Sequence, residues 1–193
     1  KIAKSFIKKF SQKKIKLRIL SEPKIGVAFA RNKGFYSATS PIIASTDADT
    51  IPHSDWIEKI QKHFQRYDSV AVTGISIMTD STPIIRLISQ MNYYKYLTFL
   101  LRVIFGFQTI NTANAAIKKS AFVSIKGFNS GFISANQLDD TELSSRLSKI
   151  GPIRVDTSIR IDGSFRRYQP FHRALSSSFI RLKNFALIAK NRP

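Results

Sequence analysis

Two groups of carboxylates stand out in an otherwise basic chain: Asp47 with Asp49, and Asp139, Asp140 with Glu142. Side chains at i and i+2 of an extended backbone share a face, so Asp47-x-Asp49 presents two carboxylates together. A hard divalent cation such as Mg²⁺ takes one or two carboxylates plus phosphate oxygens and water. Two aspartates at a strand end are therefore suited to holding a metal against a diphosphate. The same pair also suits a solvated loop with a helix-capping aspartate, and the spacing alone leaves both readings open. Asp139 and Asp140 by themselves read as the charged N-terminus of a helix, stabilised by its dipole. Five of the twelve acids lie in these groups. Carboxylates held together repel one another unless a cation or a proton joins them.

The elements that would position these residues follow from hydrophobic periodicity. Residues 26–39 read as a helix, with Ala28, Ala30 and Ala38 allowing close packing. Pro41 starts a short apolar run, Ile42-Ile43-Ala44, which reads as a buried strand running into Asp47. Ser54 or Asp55 opens a helix through Tyr67, with Glu58 placed for a capping box if Asp55 is the cap. Residues 70–77 read as another strand. Upstream, Ile2, Phe6, Ile7 and Phe10 recur at helical spacing, and Ile15, Leu17 and Ile19 alternate as in a strand. Alternating strands and helices predict an α/β domain with a mostly parallel central sheet flanked by helices. Ligands of such sheets sit beyond the carboxyl ends of the strands, where Asp47 and Asp49 fall.

Charge narrows the class of partner. The chain carries 31 Lys and Arg against 12 Asp and Glu, a formal net charge of +19. Eight basic residues precede the first acid, Glu22, and no acid follows Asp162. Such a surface attracts phosphates, in nucleic acid, anionic lipid or a sugar nucleotide. No recognised nucleic-acid motif is present, so no specific nucleic-acid partner is expected. The absence of Cys excludes disulfides and thiolate metal sites, and fits a reducing, cytoplasmic setting. His53, His63 and His172 have no metal-ligand spacing, and Gly26 and Gly34 make no phosphate-binding fingerprint. Residues 84–105 trace a broad apolar helical face interrupted by Arg86, Lys95 and Arg102, a poor transmembrane span. That face suits a helix lying on a membrane surface or one buried against another part of the protein.

Four ordered motifs between residues 26 and 168 resemble glycosyltransferase family 2. They are Ala30-Arg31-Asn32-Lys33-Gly34; Asp47-Ala48-Asp49 followed by Pro52 and Trp56; Asn114-Ala115-Ala116-Ile117-Lys118 with Gly127-Phe128; and Asp139-Asp140-Thr141-Glu142-Leu143 with Arg146 and Gly151. The resemblance implies the GT-A (nucleotide-diphospho-sugar transferase) fold and an inverting hexosyl transfer to an acceptor hydroxyl. It implies a nucleotide-sugar donor, a saccharide or lipid-linked acceptor, and a Mg²⁺ or Mn²⁺ cofactor. Cell-envelope polysaccharide, glycolipid or glycoprotein synthesis at the cytoplasmic face of a membrane is the implied setting. Asp47 and Asp49 would then hold donor and metal with Arg31, Asp140 would be the general base, and Asn114 and Asp139 would face the acceptor.

Two departures qualify the match. Asp139 stands where the family usually has Glu, which shortens that arm. Ser164-Phe165-Arg166-Arg167-Tyr168 replaces the Gln-x-x-Arg-Trp motif of processive members, which argues against a polymer synthase. Arg166 and Arg167 remain candidates for bidentate contact with the diphosphate. The expected layout is a catalytic domain over residues 1–168, lacking its opening strands, and a basic helical segment over 169–193. The rival classes are a glycoside hydrolase, a non-catalytic transferase remnant and a basic module for nucleic acid or anionic surfaces. Donor-dependent turnover separates them from a transferase.

Overall fold

The computed structural model describes residues 2–91, 93–129 and 139–164, together with residues 186, 188 and 190. Helices α1 (Ile2–Ser5) and α2 (Ile7–Gln12) form where the spacing predicts, but neither buries a residue. The strand expected at Ile15, Leu17 and Ile19 does not form; residues 15–25 are irregular apart from a bend. Alternation is not enough: a strand needs a neighbour to complete its ladder, and here Ile15 and Ile19 stay exposed.

The central sheet comprises β1 (Ile42–Thr46), β2 (Ile51–Pro52), β3 (Ala71–Met78), β4 (Asn114–Lys118) and β5 (Ile153–Gly163), in the order β1-β4-β3-β5-β2. Among these strands only β3 and β5 run parallel; β1–β4, β3–β4 and β2–β5 are antiparallel. The α/β architecture stands, and the mostly parallel sheet is corrected to a mixed one. The change comes from β4, absent from the expected strands, which returns between β1 and β3 after a long helical excursion.

Period-two alternation sorts the core onto two faces. Ile43, Ala71, Ile117 and Ile153 pack with Phe35, Phe122, Leu143 and Leu147. These come from α3 (Val27–Ser37), α7 (Lys119–Ser124) and α8 (Asp139–Ile150). On the other face, Val72, Ala116, Ile159 and Ile161 pack with Trp56 and Ile60 of α4 (Trp56–Arg66). Burying each large apolar side chain contributes about 1.5–3 kcal/mol. Asp55 precedes α4, but it makes no side-chain cap; its Oδ2 pairs with Lys59 Nζ at 2.7 Å, and the expected capping box is not formed. The apolar stretch 84–105 is two helices rather than one, α5 (Pro83–Gln90) and α6 (Tyr93–Phe105). Ser89 turns inward at the end of α5 and accepts a hydrogen bond from the Met78 N–H.

Candidate active site

Arg31 joins three segments that lie far apart in sequence. From the middle of α3 its Nη2 reaches Asp47 Oδ1 at 3.2 Å, and its Nη1 reaches Asp140 Oδ1 at 3.1 Å. The neighbouring Asn32 explains why the guanidinium is held there. Its amide donates to Phe128 O and its Oδ1 accepts from Phe128 N, both at 2.8 Å, locking the loop after α7 onto α3. Gly127 makes that approach possible. Its φ is +67°, and a Cβ there would lie 2.5 Å from Asn32 Oδ1 and 2.9 Å from Phe122 Cζ. The Phe128 ring in turn lies 5.8 Å from the Arg31 guanidinium.

Asp47 and Asp49 occupy the turn between β1 and β2. Both the N–H and the hydroxyl of Thr50 donate to Asp47 O, at 3.3 and 2.8 Å, and close the turn. Asp49 is exposed and has no hydrogen-bond partner among the described residues. The chain beyond the turn is pinned to β5. His53 N–H donates to Arg160 O, and His53 Nε2 lies 3.3 Å from Asp162 Oδ1. His53 is therefore a brace beside the turn.

The first turn of α8 supplies the second carboxylate group. Asp140 Oδ2 accepts from Thr112 N–H at 3.0 Å, and Oδ1 accepts from the Thr112 hydroxyl at 2.6 Å as well as from Arg31. Thr112 was not legible as a site residue, because nothing in its spacing marks it. Asp139 is half-buried, and its carboxyl is raised above the ordinary aspartate value, first by burial and then by the charge of Asp140, against the opposing effect of Arg31. Glu142 belongs to the scaffold. It binds Arg146 through both carboxylate oxygens, at 2.5 and 2.6 Å, and Arg146 also donates to Ile125 O.

Asn114 is a correction. Expected to face the acceptor, it is wholly buried. Its Nδ2 donates to Ile75 O at 2.9 Å and Ile159 O at 3.1 Å, and its Oδ1 accepts from the Trp56 indole at 2.7 Å. Both amide N–H groups and one acceptor position of Oδ1 are engaged where the β3–β5 register shifts at Gly74. A Cβ at Gly74 would meet Ile159 O at 2.0 Å, so the glycine admits the Asn114 amide between the strands. Arg166 and Arg167 lie outside the described residues.

Among the described residues, no group of three or more His, Cys, Asp or Glu side chains could hold a metal. Asp47 and Asp49 share the turn between β1 and β2; a hard cation held partly by substrate phosphates needs only one or two protein carboxylates.

The sequence model described as "Glycosyl transferase family 2" matches residues 1–125. The chain belongs to glycosyltransferase family 2. A search of curated proteins finds no match. Among solved structures, this family 2 chain is similar to "Mannosyltransferase PcManGT from Pyrobaculum calidifontis in complex with GDP-Man and Mn2+". The TM-score is 0.64 at 18% identity, over 91% of this chain and 47% of that one, so the chain spans about half of that structure's length. The likeness gives this family 2 chain the GT-A fold.

Proposed function

We propose that this family 2 member transfers a hexosyl group, with inversion, from a nucleotide-diphosphate donor to an acceptor hydroxyl. The observation that supports this reading is the Arg31 bridge, which brings Asp47 and Asp140 to the two ends of one guanidinium. Asp47 and Asp49 would hold a Mg²⁺ or Mn²⁺ ion, which when bound neutralises charge developing on the diphosphate. Arg31 would stabilise the same charge from the protein side.

The anomeric carbon–oxygen bond to the diphosphate breaks as the acceptor oxygen bonds to that carbon, and the nucleoside diphosphate leaves. The acceptor proton passes to Asp140. Its Oδ2 accepts only the Thr112 N–H among the described residues, which leaves a lone pair for that proton. One observation favours a second reading, in which Asp139 is the base: it is unpartnered among the described residues and its carboxyl is raised. Asp139 otherwise contacts the acceptor.

The mannosyltransferase of similar fold is recorded with GDP-Man and Mn²⁺, which makes that donor the first to test here. A saccharide or lipid-linked acceptor in cell-envelope, glycolipid or glycoprotein synthesis fits the basic surface. A panel of nucleotide sugars, each with Mg²⁺ or Mn²⁺, should raise the melting temperature for one donor only in the presence of metal. The same donor should release nucleoside diphosphate when an acceptor is supplied. Equal response to every nucleotide, with or without metal, would remove the reading.

A further inference from the structure

Helices α5 and α6 carry apolar side chains that nothing among the described residues covers. Ile84, Leu87, Tyr96, Phe99, Val103 and Ile104 are 57–71% exposed. Tyr96, Phe99 and Val103 recur at helical spacing, so they stand on one side of α6. Arg86, Lys95 and Arg102 are also exposed on these helices and pair with no acid among the described residues. No Asp or Glu occurs anywhere between Asp80 and Asp139. No described helix is long and apolar enough to cross a membrane.

We propose that α5 and α6 lie flat on an anionic lipid bilayer, with their apolar side chains among the acyl chains and Arg86, Lys95 and Arg102 at the headgroups. An apolar face edged with cations and free of acids is the composition such surface helices use. Long basic side chains extend along the apolar layer and place their charge at the phosphates. The charges decide against the other occupants. A protein covering this face would have to supply a carboxylate to each cation or bury it unpaired. A second copy would bring the same cations against themselves, on a chain of net charge +19.

The face is tied to the core at the ends of both helices. Ser89 fixes the end of α5 to Met78 of β3. Gly106, with φ +78°, closes α6 through its N–H to Arg102 O at 2.8 Å, and the chain then enters the core at Phe107. Membrane seating rests on this surface alone, so its success or failure is separate from that of the transfer chemistry.

The test is vesicle flotation of the full chain on phosphatidylglycerol–phosphatidylcholine mixtures and on phosphatidylcholine alone. The chain should float with the anionic vesicles at low salt and be released as salt rises. Replacing both Phe99→Glu and Val103→Glu should lower the partition coefficient about tenfold or more, with melting temperature and metal-dependent nucleotide binding unchanged. Arg86→Gln, Lys95→Gln and Arg102→Gln should each lower it about fivefold on anionic vesicles and leave phosphatidylcholine binding unaltered. Flotation of the double variant at the parent level would place the contact elsewhere, for instance on the basic first helices. Failure of the parent to float overturns the proposal. So does a parent that sediments as a dimer, becomes monomeric in the double variant and ignores vesicles.

Discussion

Replacing Arg31 by Met removes the bridge while keeping the length and apolar stem of the side chain. Two hydrogen-bonded ion pairs are lost, at 3.1 and 3.2 Å, with side chains that are 20% (Arg31), 25% (Asp140) and 36% (Asp47) exposed. A hydrogen bond to a charged group contributes about 1.5–3 kcal/mol. With solvent screening of partners this exposed, the pair together should contribute roughly 2–3 kcal/mol. For a chain of this size that lowers the melting temperature by roughly 5–10 °C. The variant also leaves two carboxylates facing each other without a counter-charge. A divalent cation supplies one, so Mn²⁺ should stabilise Arg31→Met more than it stabilises the parent. Differential scanning calorimetry with and without Mn²⁺ reads both effects. An unchanged melting temperature would refute the energetic account of the bridge. Equal Mn²⁺ responses in variant and parent would refute the assignment of Asp47 to the metal.

Asp49→Asn should weaken metal-dependent nucleotide binding at least tenfold by calorimetric titration with little change in melting temperature, because Asp49 is exposed and unpartnered among the described residues. Asp140→Asn should lower kcat by about 10²–10⁴ while donor binding survives, measured as nucleoside diphosphate release; that loss in Asp139→Asn alone would move the base to Asp139. Asn114→Ala should cost about 3–5 kcal/mol in urea unfolding, because it strands the Trp56 indole and two strand carbonyls; a normal melt with impaired acceptor KM would restore Asn114 to the acceptor site. The hydrogen bond from buried His63, at 2.9 Å, is the main cause that holds Asp156 at about 2, below its ordinary 3.8. A depressed carboxylate stabilises the fold above its unfolded value and loses that contribution as pH falls through the folded one. Between pH 4 and 2 the parent should therefore lose about 1–2 kcal/mol more than Asp156→Asn, read as urea midpoints against pH.

Local pattern was enough for the elements whose signal lies within a few residues. The helix at α3, the strand entering Asp47, the helix α4 and the strand β3 all stand within a residue or two of where periodicity puts them. The four motifs carried the family, because their order along the chain is itself a sequence property. What sequence could not carry were the partners. Ile15, Leu17 and Ile19 alternate as a strand should, yet a strand exists only if another backbone completes its hydrogen bonds. Strand direction belongs to the same class. β4 runs antiparallel to both neighbours because the excursion through α5 and α6 brings it back that way. Within the site, Asn114 and Arg31 had equal standing as motif residues, and only burial and hydrogen bonding separate them. Asn114 spends its amide holding β3, β5 and Trp56 together. Arg31 spends its guanidinium on Asp47 and Asp140, 16 and 109 residues away in sequence. Residue type and local spacing are written along the chain, whereas the choice between bracing the core and facing a ligand depends on which distant groups the fold brings within about 3 Å.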